Sequence, residues 1–310
     1  MSAVSVRRLG RTGLGLVSLG LPLAMFVLLS ARAPDFFGLQ NIANVNSQIT
    51  ALLIVALGQL VVALIGGIDI SVGSVVSLTS VLLVLVDPAL AVPAALGAAC
   101  AIGLANGIGV AFFNVHPLIM TLATMTFVQG LALLFVSSAG GTAPAAVVML
   151  ARASFGGFPA AFFWCVLAIG VVSIILYKSR FGLRVFAIGA NAQSAALSGA
   201  GVSGPRIACY ILCSLAGAVA GIYLTGRIAT GDPTLGQAFG LDSVTAIALG
   251  GVQLSGGVGS VAGAVLGTIT LGLIANGMNL LGVSPFFHAV VTGCLLLGAI
   301  SLQRRKVIGV

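Results

Sequence analysis

The chain has 310 residues, of which 59% are hydrophobic and 6% are charged, and it carries a formal net charge of +8. A soluble globular domain has about 25% charged residues, so this composition excludes that class and predicts an integral membrane protein with several spans. The 43 glycines and the 6% aromatic residues favour closely packed helices. The sequence lacks the alternating segments of about ten residues that form a membrane β-barrel.

Ten apolar runs follow one another along the chain, and several approach the roughly 20 residues that a helical span requires. They occupy 14–31, 45–65, 70–86, 89–112, 118–137, 160–177, 207–226, 238–252, 258–281 and 286–302. The sequence therefore predicts one all-α membrane domain over 1–310 with about ten transmembrane helices. Spans one to six are predicted within 14–177, and spans seven to ten within 207–302.

Two of these runs have a second interpretation. The first run follows an arginine-rich start and ends at Ala31-Arg32-Ala33, which also fits a cleaved signal peptide. Because the run is long and a multispanning chain needs no cleaved signal, we favour an uncleaved first helix. The run 238–252 is short and contains Asp242, so a half-helix is the alternative to a full span there.

The basic residues are concentrated in three parts of the chain. Residues 1–13, 178–206 and 303–310 hold ten of the 13 Lys and Arg side chains. Because Lys and Arg are enriched in cytoplasmic connections, all three segments, including both termini, are predicted to be cytoplasmic. This placement explains the net charge without a nucleic-acid partner.

The connections between the runs differ in composition. Residues 137–159 are rich in Ala, Gly and Ser and are predicted to form an external loop with room for a short interfacial helix. Residues 227–237, which contain Gly231-Asp232-Pro233, are predicted to form a second external turn. Residues 178–206 make the one long cytoplasmic loop.

Two segments of the chain resemble each other. Residues 103–117 and 272–285 both place Asn-Gly in a small-residue helix, followed by an apolar stretch and a proline. In the predicted topology the two segments run in opposite directions, as an inverted internal repeat requires. Convergence on small-residue helix packing is the alternative, and GxxxG pairs such as Gly103 and Gly107 favour it.

The sequence has none of the patterns expected of an enzyme. Glutamate is absent, no His or Cys residues show metal-ligand spacing, and no glycine-rich loop precedes Lys178 or Lys306. The chain is therefore predicted to be a transport protein that binds no metal or cofactor. Any ATP hydrolysis is then carried out by a partner chain.

Polar residues within the apolar runs are the candidates for a translocation path or gate. Asp69 lies among glycines and small hydroxyls in the stretch 66–74. A charged side chain at the bilayer centre costs at least about 2.5–3.5 kcal/mol. Asp69 therefore either caps the next span at a break in the helix, which we favour, or takes part in the path. The uncharged candidates are Ser71, Asn106, Thr121, Thr124, Gln129, Asn276 and Asn279. Their hydroxyl and amide groups suit a neutral, hydroxyl-rich solute, and the alternative is that they join one helix to another.

Several blocks of the sequence carry a family resemblance. Residues 67–74 read GIDISVGS, residues 249–260 read LGGVQLSGGVGS, residues 276–283 read NGMNLLGV, and residues 182–199 form a further block. In order along nearly the whole chain, these blocks resemble those of the permease subunits of bacterial ribose-type sugar ABC importers. The branched-chain amino acid permeases are similar relatives, but the GID-x-S and Leu-Leu-Gly-Val blocks favour the sugar branch.

The resemblance implies a homodimer in the bacterial inner membrane. Its partners are then an ABC ATP-binding subunit, which holds ATP and Mg, and a periplasmic sugar-binding protein. The solute is a monosaccharide, ribose or a similar pentose or hexose. A permease for branched-chain amino acids or nucleosides is the alternative in the same architecture, and a stand-alone secondary carrier is the alternative from another class.

The resemblance also implies that the 178–206 loop holds a coupling helix that docks on the ATPase. The family sequence N-P-E-A-A-R-L-S-G is replaced by NAQSAALSG at 191–199, so two charged positions become Gln193 and Ala196. Packing of Ala195, Leu197 and flanking apolar residues is then expected to carry the contact. The residues predicted to form it are Arg184, Gly189, Asn191, Gln193, Ala195, Leu197, Ser198 and Gly199.

Overall fold

The computed structural model describes residues 20, 22–31, 36–199 and 201–302. The helices are α1 (Pro22–Ala31), α2 (Leu39–Leu64), α3 (Val72–Leu85), α4 (Pro88–Ala111), α5 (Pro117–Phe135), α6 (Ala145–Arg152), α7 (Ala160–Tyr177), α8 (Arg180–Ala190), α9 (Ala192–Leu197), α10 (Ser203–Ile228), α11 (Phe239–Leu249), α12 (Val261–Leu280) and α13 (Pro285–Leu302). A short antiparallel hairpin, β1 (Ser154–Phe155) and β2 (Phe158–Pro159), lies between α6 and α7. The predicted terminal segments 1–13 and 303–310 lie outside the described residues.

The prediction of an all-helical membrane protein is confirmed. In the part of the chain that the structure describes, six helices are long and apolar enough to cross a bilayer: α2, α4, α5, α7, α10 and α12. The shorter apolar helices are α1, α3, α11 and most of α13. The 11 residues of α11 extend over roughly 16 Å, about half the thickness of the bilayer core. This is the length expected of a half-helix.

Helix boundaries follow local capping chemistry. Asp87 caps α4, since its Oδ1 accepts the N–H of Ala89 at 2.9 Å, and Pro88 occupies the first helical position. Ser260 caps α12 in the same way, because its Oγ accepts the N–H of Gly263 at 3.0 Å. Asp87 lies in the connection before the predicted run 89–112, whereas Ser260 lies inside the predicted run 258–281, so α12 begins three residues later than predicted.

The core forms around α2, which packs against α7, α10, α11 and α12. Every residue in 50–64 is buried. α10 also crosses α4 at close range: a Cβ atom added at Gly103 would lie 2.6 Å from Ile211 Cα, and one at Gly107 would lie 2.7 Å from Ile207 Cα. The GxxxG pair of α4 therefore makes a close helix contact, as its spacing predicts.

The two connections predicted to be external contact each other. The N–H groups of Gly140 and Gly231 each donate to the carbonyl of the other residue, at 2.9 and 3.0 Å. Arg152 Nη2 donates to Arg227 O at 2.6 Å. Residues 137–159 contain α6, so the short helix for which the sequence leaves room is present.

The second of these connections, 227–237, continues along α3. Asp232 N donates to Ser80 Oγ at 3.0 Å, and Gly236 N donates to Ser77 Oγ at 2.9 Å. α11 then begins beside the start of α3. The predicted turn is therefore present, and serines on α3 supply acceptors that draw the segment along that helix. Its external placement stays a prediction.

Candidate functional site: a buried polar network and an exposed helical loop

The chain doubles back between α2 and α3 and places Asp69 inside the protein. Gly66 has φ = 78°, the left-handed conformation that commonly follows a helix. The Gln59 amide, oriented with Nε2 toward the Asp69 carbonyl, donates to Asp69 O at 3.0 Å and accepts from Asp69 N at 3.1 Å. Gln59 precedes the end of α2 by five residues, so Asp69 is set back about 8 Å from that end. Its side chain is fully buried.

Asp69 begins a chain of four hydrogen-bonded polar side chains. Its Oδ1 accepts the N–H of Ser71 at 3.0 Å and the O–H of Ser71 at 2.5 Å. Asn106 Nδ2 of α4 donates to Ser71 Oγ at 2.8 Å, and Thr124 Oγ1 of α5 donates to Asn106 Oδ1 at 2.6 Å. We call these four residues the Asp69 network. It joins the break after α2 to both α4 and α5.

Thr121 of α5 holds the same break through the backbone. Its hydroxyl donates to Ile68 O at 3.2 Å and accepts from Ile70 N at 3.3 Å. All four residues of the Asp69 network are also predicted path candidates. The structure therefore brings five of the eight predicted path candidates together.

The two carboxylate oxygens of Asp69 have different surroundings. Oδ1 orients Ser71, which is the N-cap residue of α3 and makes no side-chain capping bond of its own. Oδ2 has no hydrogen-bond partner among the described residues. The arrangement around Oδ1 fits an acid that fixes the start of α3, while a role of Asp69 in a path or gate stays a prediction.

Asn276 and Asn279 lie in a different part of the molecule. Asn276 Nδ2 donates to Asn41 Oδ1 at 2.7 Å, and Asn41 Nδ2 donates back to Asn276 Oδ1 at 3.3 Å. This pair ties the start of α2 to the end of α12. Gln59 is 18 residues farther along α2, or about 27 Å along the helix axis. Asn279 is exposed, so neither asparagine of α12 reaches the Asp69 network.

The predicted coupling segment folds as two helices, α8 and α9, that meet at Asn191. Asn191 Oδ1 accepts the N–H of Ser194 at 2.9 Å and so caps α9. Ala195 is buried, whereas Leu197 is 84% exposed. A groove of about 280 Å³ between the helices is lined mostly by alanines and serines. Of the other predicted contact residues, the exposed ones are Arg184, Gln193, Ser198 and Gly199, and the buried one is Gly189.

Gly189 connects this loop to the end of α2. A Cβ atom added at Gly189 would overlap Leu64 O and lie 2.5 Å from Gly257 N, so only glycine permits the approach. Gly257 has φ = 80° and donates its N–H to Leu64 O at 2.9 Å. α8, the loop before α12 and the end of α2 therefore meet at one point, five residues before Asp69.

Gln59 and Asn41 complete these clusters without being among the predicted site residues. Gln59 has a detectable signal, because an amide inside an apolar span must find a partner. Asn41 precedes the predicted run 45–65 and carries no such signal. Its pairing with Asn276 depends on the packing of α2 against α12, which the sequence does not state.

Long apolar helices joined by a buried polar network define an integral membrane protein, and polar groups inside a helical bundle commonly mark a transport pathway. The chain belongs to the family described as "Branched-chain amino acid transport system / permease component", which matches residues 41–300. The family assignment predicted from the sequence blocks is confirmed. With it, the protein is a permease component located in the membrane.

Three similar relatives are matched over most of their length. The ribose import permease protein RbsC of Bacillus subtilis is 39% identical over 290 residues, which cover 91% of this chain and 90% of the relative. The L-arabinose transport system permease protein AraH of Escherichia coli is 35% identical over 288 residues, with 91% and 88% covered. The galactose/methyl galactoside import permease protein MglC of Escherichia coli is 31% identical over 309 residues, with 92% of each chain covered. No solved structure matches the chain.

Proposed function

We propose that this protein is the membrane-spanning permease subunit of an ATP-driven ABC importer for a monosaccharide, ribose or a similar pentose or hexose. The single observation that carries the proposal is the end-to-end similarity to permeases of ribose, arabinose and galactose import. The family description names branched-chain amino acids, but these three relatives are all sugar permeases. They therefore favour the sugar branch over an amino acid or nucleoside permease.

The Asp69 network fits a neutral, hydroxyl-rich solute. Ser71, Asn106 and Thr124 offer hydroxyl and amide groups, which both donate and accept hydrogen bonds. Such groups can exchange their mutual bonds for bonds to sugar hydroxyls when the helices move apart. Because these three side chains carry no charge, they would release the solute readily on the far side of the membrane.

A partner chain supplies the energy. The sequence has no nucleotide-binding motif, so ATP and Mg bind to an ABC ATP-binding subunit, and this chain binds no cofactor of its own. A periplasmic sugar-binding protein delivers the solute, and a second copy of the chain completes the translocation unit. The exposed Leu197 is a natural docking group for the ATPase. A displacement of α8 would then be transmitted to the end of α2 through Gly189.

We further propose ten membrane segments, α11 among them as a half-helix, with both termini cytoplasmic. The inverted repeat has structural support in two asparagines at equivalent sequence positions, Asn106 in α4 and Asn276 in α12. Both are buried and both bond to a residue of another element. A path at the interface of the two repeats is the arrangement expected of such a fold.

Uptake into proteoliposomes tests the proposal. The chain is reconstituted with the ATP-binding subunit encoded beside it, and labelled ribose, arabinose and galactose are offered with the binding protein. We expect ATP-dependent uptake of at least one sugar that requires all three proteins. Uptake of a branched-chain amino acid or a nucleoside instead would favour the alternative permease, and uptake by the chain alone under an ion gradient would contradict the ABC assignment.

A further inference from the structure

A polar cavity, separate from the groove between α8 and α9, lies where α2 and α4 end and α5 and α10 begin. Its volume is about 300 Å³, and the residues that line it include Asn114, His116, Arg206 and Tyr210. We propose that this cavity binds the phosphate group of an anionic phospholipid. The proposal does not depend on which solute the protein transports.

The groups that line the cavity suit an anion. Arg206 and His116 supply a cationic group and a ring donor, Asn114 supplies an amide, and the described lining contains no carboxylate. α5 starts at Pro117 with His116 as its N-cap residue, so the positive end of this helix adjoins the cavity. An Arg guanidinium can hold a phosphate through two parallel hydrogen bonds.

Tyr210 gives the cavity an unused donor. Its side chain is fully buried, and its hydroxyl has no hydrogen-bond partner in the described part of the chain. The hydroxyl lies beside Gly67, which also lines the cavity, since a Cβ atom added there would be 2.6 Å from it. Tyr210 follows Arg206 by one helical turn, so both lie on one face of α10. A buried hydroxyl without a partner is costly, and a phosphate oxygen would accept its hydrogen bond.

The surroundings of the cavity favour a lipid over a soluble anion. Phe112 and Phe113, directly before the lining residue Asn114, are 62% and 75% exposed, and Ile119 is 63% exposed. Asn114 has φ = 52° and turns the chain between these phenylalanines and His116. Apolar and aromatic side chains next to a basic pocket between spans are typical of a lipid headgroup site at the membrane interface.

Native mass spectrometry of the purified full chain tests the proposal, with phosphatidylglycerol as the anionic lipid and phosphatidylcholine as the zwitterionic comparison. We expect the wild-type chain to prefer phosphatidylglycerol. Arg206→Gln should lower its affinity on the order of tenfold. Arg184→Gln is the matched control, because it removes an exposed charge from α8 that does not line the cavity, and it should leave the affinity unchanged.

Tyr210→Phe keeps the packing and removes only the hydroxyl. It should weaken phosphatidylglycerol binding several-fold while the lipid-free chain unfolds at the same or a higher temperature, since an unpaired buried group is lost. Equal retention of the two lipids, or equal losses in Arg206→Gln and Arg184→Gln, would overturn the proposal. Displacement of phosphatidylglycerol by an equal concentration of inorganic phosphate would overturn the lipid assignment and identify a soluble phosphate as the ligand.

Discussion

The bond from Asn106 Nδ2 to Ser71 Oγ, at 2.8 Å, ties α4 to the residue that precedes α3. The carbonyl of the same amide accepts from Thr124 of α5 at 2.6 Å. One buried side chain thus holds three parts of the molecule in place. Its two partners are the Ser71 hydroxyl at the helix break and the Thr124 hydroxyl on a neighbouring helix. Substitution of Asn106 therefore tests whether the Asp69 network supports the fold, the translocation path or both.

Replacing Asn106 with Ala removes both bonds and leaves two hydroxyls without their partner. We expect the free energy of unfolding to fall by about 1–3 kcal/mol, measured by thermal unfolding of the purified chain in detergent. Asn279→Ala is the matched control, because Asn279 is exposed on α12 and its loss should change stability by less than about 0.5 kcal/mol. Equal unfolding temperatures for the two variants would mean that the network does not support the fold.

Asp69 can be tested by separating its charge from its hydrogen bonding. In Asp69→Asn the amide oxygen still accepts from the N–H and O–H of Ser71, so we expect normal assembly and retained uptake. Asp69→Ala loses both bonds and should be destabilised by about 1–2 kcal/mol, the usual cost of a lost cap. Normal assembly of Asp69→Asn with abolished uptake would contradict the capping role and place the charge itself in the path.

Gly189 should tolerate no side chain. In Gly189→Ala the new methyl group overlaps Leu64 O, so α8 must move away from the end of α2. We expect a lower unfolding temperature and loss of ATPase stimulation by the substrate-loaded binding protein. The control is Gly201→Ala, where no atom lies within 4 Å of the added Cβ. Wild-type stimulation in Gly189→Ala would show that this contact does not couple the loop to the membrane segments.

Leu197 is 84% exposed, so it contributes little to the folded chain and is available to a partner. Leu197→Ala should leave the unfolding temperature unchanged and reduce the ATP-binding subunit retained on co-purification several-fold. Leu134→Ala, at a 78% exposed position of α5, should retain the subunit fully. If both variants retain it equally, α9 is not the docking element.

The sequence of α9 also differs from the family pattern N-P-E-A-A-R-L-S-G, which has Glu and Arg at the positions of Gln193 and Ala196. Gln193→Glu and Ala196→Arg restore the two charges on a surface that is exposed at both positions. If the natural partner has a matching uncharged cleft, the double variant should weaken co-purification, because each new charge loses water without gaining a counter-charge. Stronger retention of the subunit would show instead that the natural contact is weak and that the partner still carries the complementary charges.

Apolar runs predict the helical class and the approximate position of each helix, because hydrophobic length is a local property of the chain. The spacing of Gly103 and Gly107 is also a local property, and it predicts a close helix contact. It does not predict that the contacting helix is α10. Asp69, Ser71, Asn106 and Thr121 are polar residues within apolar segments, and buried polar groups must find hydrogen-bond partners. Their grouping in the structure agrees with this expectation.

What the sequence does not predict depends on tertiary packing. Asn276 is a buried asparagine like Asn106, yet it does not join the Asp69 network. It pairs with Asn41, which lies about 27 Å along α2 from Gln59. The return of the chain beside Gln59 and the course of residues 229–238 along α3 are likewise each set by two hydrogen bonds to a distant element. Such bonds leave no periodic pattern in the sequence.

The most direct test of the central claim is the ATPase activity of the complex. The chain is co-purified with the ATP-binding subunit encoded beside it, reconstituted in a bilayer, and presented with the periplasmic binding protein with and without ribose, arabinose or galactose. We predict a stable complex whose ATP hydrolysis rises with one sugar-loaded binding protein and not with the empty one. A chain that never retains an ATP-binding subunit, or a complex stimulated only by an amino acid receptor, would contradict a permease of a monosaccharide importer.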